Sequence, residues 1–491
     1  MTQIFTDEIK WNKLIRVPSF PMAILGLKVE TESQKYSKSI LSGIHNNRTH
    51  SNEGRFMSDD SRLEKFFSGF HRSFWVANSL ELFERLAYYA QAAVMSIFLR
   101  NHLHFSEVDA GTLSSIFGGF VYLLPIFAGT FADKYGFRKA FSFAFFVMAI
   151  GYFLVGSVGS PLFAPVVHSF PLFWVLVVVL LFTAIGESFI KPSVLGTIAV
   201  SSKPETKSLG YAIYYTLVNV GGATGPVIAY FFRDKIGIES VYMVSAVTCG
   251  LMFFGTLIFY HEPEAALTQQ PSLGEKLRDM LRVLKNGRFM VFLLIFSLYW
   301  IMFWQVFVIV PFYLTDFISK NAPFELIESV DAWAIIFLQV IVNRLTKKMP
   351  PVTAITIGFG VSTLSWLVIA IHPNVWTIIA AMVVWSLGEM TQAPRYYEYI
   401  ADHAPKGQEA LFQGYAFLPI AIAWFVGGTF GGWLYETMTK SILVRTGDVV
   451  QVLGQPTGIW LALTGIGVVA TVLMVMYNAY ITKKDEAIAQ A

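Results

Sequence analysis

The stretch ELFERLAYY, residues 81–89, lies inside a long apolar run from Phe74 to Leu99. It carries three charged residues, Glu81, Glu84 and Arg85, together with two tyrosines. A charged side chain at bilayer depth is costly and normally faces a bundle interior or a wet cavity. The stretch therefore predicts a functional site inside a membrane protein. At helical spacing, one face of it carries Glu81, Arg85, Tyr88 and Tyr89.

The composition of the whole chain is typical of a polytopic membrane protein. Its 491 residues are 55% hydrophobic and only 14% charged, which is too apolar for an ordinary soluble protein of this length. Cys249 is the only cysteine, so the sequence excludes an internal disulfide and a cysteine-rich metal site. We expect no cofactor, no metal and no nucleic-acid partner.

The first part of the chain is polar. Residues 1–70 are mixed in charge and rich in Ser, Asn and Lys, which predicts a cytoplasmic, largely disordered arm. The opening residues do not resemble a cleavable signal peptide, so we expect the first span to act as the membrane signal. Met57 is an alternative natural start.

Apolar stretches of about 20 residues, the length that crosses a bilayer, recur along the chain. The predicted spans are 74–99, 109–132, 140–158, 172–198, 207–231, 240–260, 288–317, 328–346, 352–371, 375–400, 409–435 and 457–480. These twelve spans form two groups of six. The stretch between the groups has leucines at helical spacing among charges, which is typical of an amphipathic helix on the membrane surface. The predicted domains are the arm 1–70, the N-terminal half 71–260, a cytoplasmic linker 261–287, the C-terminal half 288–480 and a cytoplasmic tail 481–491.

The distribution of positive charge predicts the orientation. Most of the 36 Lys and Arg residues fall in the N-terminal arm, the even-numbered loops and the C-terminal tail. By the positive-inside rule, both termini are cytoplasmic. We expect a multi-pass protein of the plasma (inner) membrane.

Two six-span halves joined by a cytoplasmic linker are the plan of the major facilitator fold, an all-α membrane fold whose halves rock around a central cavity. The loop after the second span, GTFADKYGFRK at 129–139, resembles the cytoplasmic gating motif of that superfamily. Gly129 and Gly136 permit close helix approach and a tight turn, while Asp133 can cap a helix or pair with a basic group. We predict a gating role for these residues and for Arg138.

Other ionisable residues also fall inside predicted spans. Span 4 carries Glu187 and Lys191, one helical turn apart, span 8 begins with Glu328 and Asp331, and span 10 carries Glu389. A buried ion pair is seldom a net stabiliser compared with apolar packing. Function therefore explains these charges better than packing does.

Four motifs resemble signatures of the proton-dependent oligopeptide transporters, the POT/PTR family of the major facilitator superfamily. ELFER at 81–85, followed by two tyrosines, resembles the E-x-x-E-R signature of span 1. IKP at 190–192 resembles the lysine motif of span 4, and YYTLVNVGG at 214–222 resembles the signature of span 5. LGE at 387–389 resembles the motif of span 10. The resemblance covers most of the chain, from about Phe74 to Tyr480.

This resemblance implies roles for individual residues. Arg85 and Lys191 would receive the carboxylate of a peptide, and Glu389 in the other half would meet its amino group. Glu81 and Glu84 would take part in proton coupling together with Lys191. The hydrogen-bonding wall between the two ends would consist of Tyr88, Tyr89, Tyr122 and Asn219.

The chain departs from the family pattern at three points. In span 7, Trp304-Gln305 lacks the acid that many members place just before the glutamine. In span 8, Asp331 adds a charge near the amino-group end, where the family usually has Asn-Pro. Glu187 adds an acid beside Lys191 and offers another proton path. These departures make the cavity more acidic and leave a different selectivity open.

We predict a proton-coupled symporter that imports di- or tripeptides or similar small zwitterions by alternating access, as a monomer surrounded by membrane lipids. One alternative is transport or export of another solute, such as an amino acid, a carboxylate or a drug. Another is a non-transporting receptor or scaffold. An enzyme is not expected, because the sequence has no metal cluster, phosphate-binding glycine loop or nucleophile-and-base arrangement.

Overall fold

The computed structural model describes residues 69–160, 169–263, 283–404, 409–446 and 449–490, with a few isolated positions between these ranges. The predicted N-terminal arm, the alternative start at Met57 and most of the amphipathic linker lie outside the described residues.

The N-terminal half consists of helices that follow one another with short connections. They are α1 Arg72–Ile97, α2 Glu107–Leu123, α3 Pro125–Tyr135, α4 Phe137–Ser157, α5 Leu172–Ser188, α6 Ile190–Ser201, α7 Lys207–Lys235 and α8 Glu239–Phe259. A short π-helix, Phe98–His102, extends α1.

The C-terminal half is built in the same way. Its helices are α9 Gly287–Phe303, α10 Gln305–Tyr313, α11 Phe324–Thr346, α12 Pro351–Ile371, α13 Val375–His403, α14 Glu409–Tyr415, α15 Leu418–Thr439 and α16 Thr457–Gln490. A second π-helix, Leu314–Ile318, follows α10. Strands β1 Leu443–Thr446 and β2 Val449–Val452 form an antiparallel hairpin between α15 and α16, with Leu443 opposite Val452.

Each of the twelve predicted spans coincides with one helix or with two helices separated by a break. The break between α2 and α3 bends the chain by 43°, because Pro125 lacks the N–H that would continue the helix. Among the described residues, seven helical spans, or eight with the bent pair, are long and apolar enough to cross a membrane. The count of twelve membrane spans stays a prediction.

Charged residues explain why hydropathy alone does not identify every helix as a membrane span. Helix α1 carries Glu81, Glu84 and Arg85 within its middle turns, so its mean hydropathy is lowered where it is best buried. Its start is set locally, because the His71 side chain accepts a hydrogen bond from the backbone N–H of Ser73 at 3.2 Å. Such capping satisfies one of the free N–H groups of the first turn.

The two halves touch most closely where α2 crosses α15. Glycines lie at the crossing, and a Cβ on Gly111 would collide with the backbone carbonyl of Gly428, as one on Gly432 would with that of Glu107. Small residues allow helix backbones to approach in this way. The Ser115 hydroxyl accepts a hydrogen bond from the backbone N–H of Thr429 at 3.0 Å, which fixes the register of the two helices.

Candidate functional site

Arg85 lies at the centre of a buried cluster of three acids. Its Nε is 2.5 Å from Oε2 of Glu84 and 3.5 Å from Oε1 of Glu81. An Nη atom donates to Oε1 of Glu187 on α5. None of the four residues is more than 3% exposed. The guanidinium is therefore held by carboxylates of the protein itself.

Helix α7 supports this cluster from one side. A Cβ on Gly221 would collide with the Cβ of Arg85, and one on Gly225 would lie 2.8 Å from the carbonyl oxygen of Leu86. Overpacking of this kind forces backbones apart. Gly221, part of the stretch that resembles the span 5 signature, thus lets α7 lie directly against α1 at Arg85.

Tyrosines cover the open side of the cluster. The Arg85 guanidinium carbon lies 4.8 Å from the centre of the Tyr88 ring, within the range of a cation–π contact. The ring of Tyr88 meets that of Tyr89 edge to face at 5.2 Å. Tyr88 is only 2% exposed, so it lies behind Tyr89 rather than on a cavity surface.

Lys191 lines a cavity of ≈ 480 Å³. Its Nζ lies 4.7 Å from the centre of the Tyr122 ring and 5.4 Å from that of Phe417. The first ring belongs to the N-terminal half and the second to the C-terminal half. We call this space the lysine cavity; its further lining residues include Pro125, Leu195, Tyr211 and Gln413.

A smaller cavity of ≈ 80 Å³ lies between α7 and α11. Three acids of the C-terminal half line it, Glu328 and Asp331 on α11 and Glu389 on α13, opposite Tyr89 and Asn219 of the N-terminal half. We call this space the acidic pocket. It brings together residues from both halves, as a binding site between rocking halves requires.

Neutral donors hold two of these acids. The Ser386 hydroxyl donates to Oδ1 of Asp331 at 2.6 Å, and the Trp385 indole N–H donates to Oε2 of Glu389 at 3.3 Å. Glu328 is 5% exposed, and neither of its carboxyl oxygens has a hydrogen-bond partner among the described residues. A buried carboxylate without a partner is costly, which makes this pocket a place for a cation or a proton.

Ion pairs join the two halves at the end of the bundle that carries Arg100 and Arg233, which we call the outer side. Arg100 donates to both carboxylate oxygens of Asp316, at 2.8 and 2.9 Å, and Asp316 also accepts from the Tyr435 hydroxyl at 2.7 Å. Arg233 of α7 pairs with Glu325 of α11.

Aromatic packing closes the path inward from these ion pairs. Trp304 and Trp424 stack with their ring centres 4.1 Å apart, and Trp424 lies against Gly118 of the N-terminal half, where a Cβ would collide with its ring. The outer side is therefore closed, while the lysine cavity lies toward the opposite end. We call this arrangement inward-open, after the orientation that the positive-inside rule predicts.

The stretch that resembles the gating motif forms the turn between α3 and α4. Gly136 has φ +91°, a left-handed conformation that favours glycine. The Glu262 carboxylate accepts hydrogen bonds from the backbone N–H groups of Phe137 and Arg138, both at 2.8 Å. The Arg138 side chain donates to the carbonyl of Leu257 at 2.5 Å.

The remaining residues of that stretch contact the N-terminal half or lie near the turn. A Cβ on Gly129 would lie 3.4 Å from the Cβ of Pro192, so α3 packs closely on α6. Asp133 lies half-buried near the end of α3. The acid that caps the start of α4 is Glu262, which sequence reasoning did not select.

The structure thus distributes the predicted substrate residues over three places. Lys191 and Tyr122 line the lysine cavity, and Tyr89, Asn219, Asp331 and Glu389 line the acidic pocket. Arg85 lines neither cavity, because its three carboxylate neighbours and Tyr88 enclose it. The predicted proton-coupling acids Glu81, Glu84 and Glu187 are the residues that enclose it.

Sequence reasoning missed the ion pairs of the outer side. Arg100 and Arg233 are among the few basic residues that lie outside the predicted cytoplasmic segments. Their partners are Asp316, at the end of the predicted span 288–317, and Glu325, just before the predicted span 328–346. An acid at the outer end of one half and a base at the outer end of the other are the available signal, although a linear sequence does not say which of them meet.

A family model for the Major Facilitator Superfamily matches residues 79–321. Dipeptide and tripeptide permease A of Cronobacter turicensis is 29% identical over 179 residues, which cover 36% of this chain and 34% of the permease. The permease A of Escherichia coli is 28% identical over 180 residues, with the same coverage. The chain thus aligns with about a third of the length of these permeases. Multidrug resistance protein MdtH of Photorhabdus laumondii is 20% identical over 315 residues, covering 64% of this chain and 74% of that protein.

Solved structures share the fold. A POT family transporter in complex with 5-aminolevulinic acid superposes with a TM-score of 0.66 at 17% identity, covering 84% of this chain and 97% of that one. A structure described as showing substrate recognition in proton-dependent oligopeptide transporters gives a TM-score of 0.65 at 16% identity, covering 83% and 97%. The nucleoside transporter NupG gives 0.62 at 15% identity, covering 82% and 99%.

A model of the Major Facilitator Superfamily thus matches just under half of the chain, and the fold is that of solved transporters. The apolar helices and the transporter relatives indicate a multi-pass membrane protein. Permeases for di- and tripeptides and transporters of the POT family are among the proteins that this chain resembles in part of its sequence and in its fold.

Proposed function

We propose that this protein is a proton-coupled symporter that imports small zwitterions, such as di- and tripeptides, by alternating access. The observation that carries the proposal is the placement of opposite charges on the two halves. Lys191 of the N-terminal half faces one cavity, and Asp331 and Glu389 of the C-terminal half face another. A zwitterion whose carboxylate meets the lysine and whose amine meets the acids would draw the two halves together.

Proton coupling is supported by the charge balance around Arg85. Glu81, Glu84 and Glu187 are three acids, and the nearby cations are Arg85 and Lys191. One negative charge is in excess when all of them are ionised. Burying an unpaired charge costs several kcal/mol, so a bound proton stabilises the cluster.

The closed outer side supports alternating access. The bundle holds ion pairs across the halves at its outer end and an open cavity toward its inner end, which is one of the two end states of alternating access. Proton and solute that both bind in this interior bias the same equilibrium between the two states.

Uptake into proteoliposomes tests this proposal. With an inward proton gradient, we expect accumulation of alanyl-alanine over free alanine and over an anionic solute. Lys191→Gln should weaken uptake at least tenfold, because it removes the cation that meets the carboxylate. Lys203→Gln changes an exposed lysine beyond α6 and serves as the matched control.

The proton step has a separate readout. Glu84→Gln should abolish accumulation driven by the proton gradient while counterflow exchange of peptide stays measurable. Normal accumulation by this variant would exclude Glu84 as a coupling residue. No peptide uptake by the parent protein would reject the symporter proposal altogether.

A second candidate is proton-linked transport of a cationic drug. The match to a multidrug resistance protein covers a larger share of both chains than the permease matches do, and the acidic pocket suits a cation. Efflux of a cationic dye from vesicles, without peptide uptake, would favour this candidate.

A further inference from the structure

We propose that the site prefers solutes with a net positive charge, such as dipeptides with one basic side chain, over neutral or acidic ones. The inference rests on the proposed function and names its solute class. It follows from which charges face the cavities and which are already paired within the protein.

Arg85, one of the two cations near the site, is not available to a solute carboxylate in this state. Its guanidinium contacts Glu84 and Glu187, and Glu81 lies 3.5 Å away. The side chain is 1% exposed. A charge that is paired and enclosed in this way attracts a further anion only weakly, since the pair presents little net field.

Glu187 is the reason for this state of Arg85. It lies on α5, one helical turn before Lys191, and brings a carboxylate to the guanidinium. The positive end of the site is thereby reduced to Lys191, whose ammonium group also contacts the rings of Tyr122 and Phe417.

The negative end has the opposite character. Glu328, Asp331 and Glu389 line one pocket of ≈ 80 Å³, enough for an ammonium group with a water molecule but not for a whole side chain. No described residue forms an ion pair with any of the three acids. The bonds to Asp331 and Glu389 come from a hydroxyl and an indole N–H, neither of which carries charge.

Glu328 gives independent support for a cationic ligand in this pocket. It is only 5% exposed, it lines the pocket, and neither of its carboxyl oxygens has a hydrogen-bond partner among the described residues. Asn219 and Tyr89 complete the wall with polar groups. An ammonium group in the pocket would satisfy acids that have no cationic partner in the part of the chain that the structure describes.

The two cavities taken together decide the sign of the preferred charge. The described residues that line the two cavities include one cation, Lys191, and three acids. A solute with two amines and one carboxylate matches this surface better than one with a single amine. A solute with a second carboxylate matches it worst, since it brings like charges together.

Calorimetric binding to the purified protein, with alanyl-lysine, alanyl-alanine and alanyl-glutamate, tests the preference. We expect alanyl-lysine to bind about tenfold more tightly than alanyl-alanine, and alanyl-glutamate to bind most weakly. Asp331→Asn should remove most of the preference for alanyl-lysine. Glu187→Gln should free Arg85 and strengthen binding of alanyl-glutamate relative to the other two.

Controls separate this inference from the proposed function. Glu239→Gln changes an acid that pairs with His102 at the start of α8, so it should leave the order of affinities unchanged. Thermal unfolding of each variant reports whether it folds. If Glu187→Gln does not fold, Asp331→Asn alone tests the charge preference. If alanyl-alanine binds as tightly as alanyl-lysine, the charge preference is wrong and the symporter proposal stands. If no dipeptide binds, both fall.

Discussion

Asp316→Asn should open the outer side of the protein. Asp316 lies in the π-helix after α10 and accepts two hydrogen bonds from Arg100, which ends the first span of the other half. It also accepts one from Tyr435 at 2.7 Å. Because the Arg100–Asp316 pair joins the halves, it must break whenever the outer side opens. Weakening it therefore destabilises only the inward-open state.

The magnitude follows from the burial and geometry of the pair. The side chains of Arg100 and Asp316 are 3% and 7% exposed, and removing one partner of a buried ion pair costs about 3–5 kcal/mol. Glu107 lies 3.6 Å from the same guanidinium and keeps part of the interaction. We therefore take the lower end, about 3 kcal/mol, which raises the outward-open population relative to the inward-open one by about 100-fold.

Thiol labelling measures this shift. The buried Cys249 is the only native cysteine, so Cys249→Ala gives a background without reactive thiols. Ser115 of α2 lies against α15, where its hydroxyl accepts a hydrogen bond from the backbone N–H of Thr429 at 3.0 Å, and it is only 2% exposed. A cysteine at position 115 is covered while the outer side is closed. Its rate of reaction with a membrane-impermeant maleimide reports opening.

Asp316→Asn should raise that labelling rate by about 100-fold if opening is fast compared with labelling. Asp234→Asn is the matched control, because Asp234 pairs with its exposed neighbour Lys235 on the same side of the protein. A labelling rate in Asp316→Asn equal to that of the control would refute the idea that the Arg100–Asp316 pair holds the outer side closed.

Two further predictions concern packing and capping. Gly221→Ala should lower the stability by about 1–3 kcal/mol through overpacking against Arg85. Gly250→Ala, with nothing within 4 Å of the added carbon, should be neutral. Thermal unfolding in detergent compares the two variants, and equal melting temperatures would contradict the close approach of α7 to α1. Glu262→Gln should lower the melting temperature, because it removes the negative charge of a carboxylate that accepts hydrogen bonds from two backbone N–H groups at the start of α4. Such a cap contributes about 1 kcal/mol to stability. An unchanged melting temperature would show that the amide caps the helix equally well.

Much of the fold could be predicted from the sequence, because membrane helices follow local rules. Apolar length indicates a span wherever a helix faces lipid, and each predicted span coincides with helical structure. The breaks were not predicted. Apolar periodicity encodes neither the bend at Pro125 nor the interruption at Trp304, which separate α2 from α3 and α9 from α10.

The site was predicted less completely. The motifs located the charges that gather at the centre, and Lys191, Asp331 and Glu389 do line cavities. The sequence could not show that Glu187 meets Arg85, since they are 102 residues apart. It also could not show that the Glu328 carboxyl has no hydrogen-bond partner among the described residues. Both facts depend on which faces of α1, α5 and α11 point inward.

The extra acid at Glu187 connects the proposed proton coupling with the proposed charge preference. A proton bound within the Arg85 cluster would neutralise one of its carboxylates and leave the guanidinium with charge to offer a solute. A neutral dipeptide would then need that proton to find a strong partner for its carboxylate. A dipeptide with a basic side chain brings a positive charge of its own and satisfies the acidic pocket directly. In both cases the interior acids gain one positive charge before the halves close, so proton and basic side chain would serve the same electrostatic need.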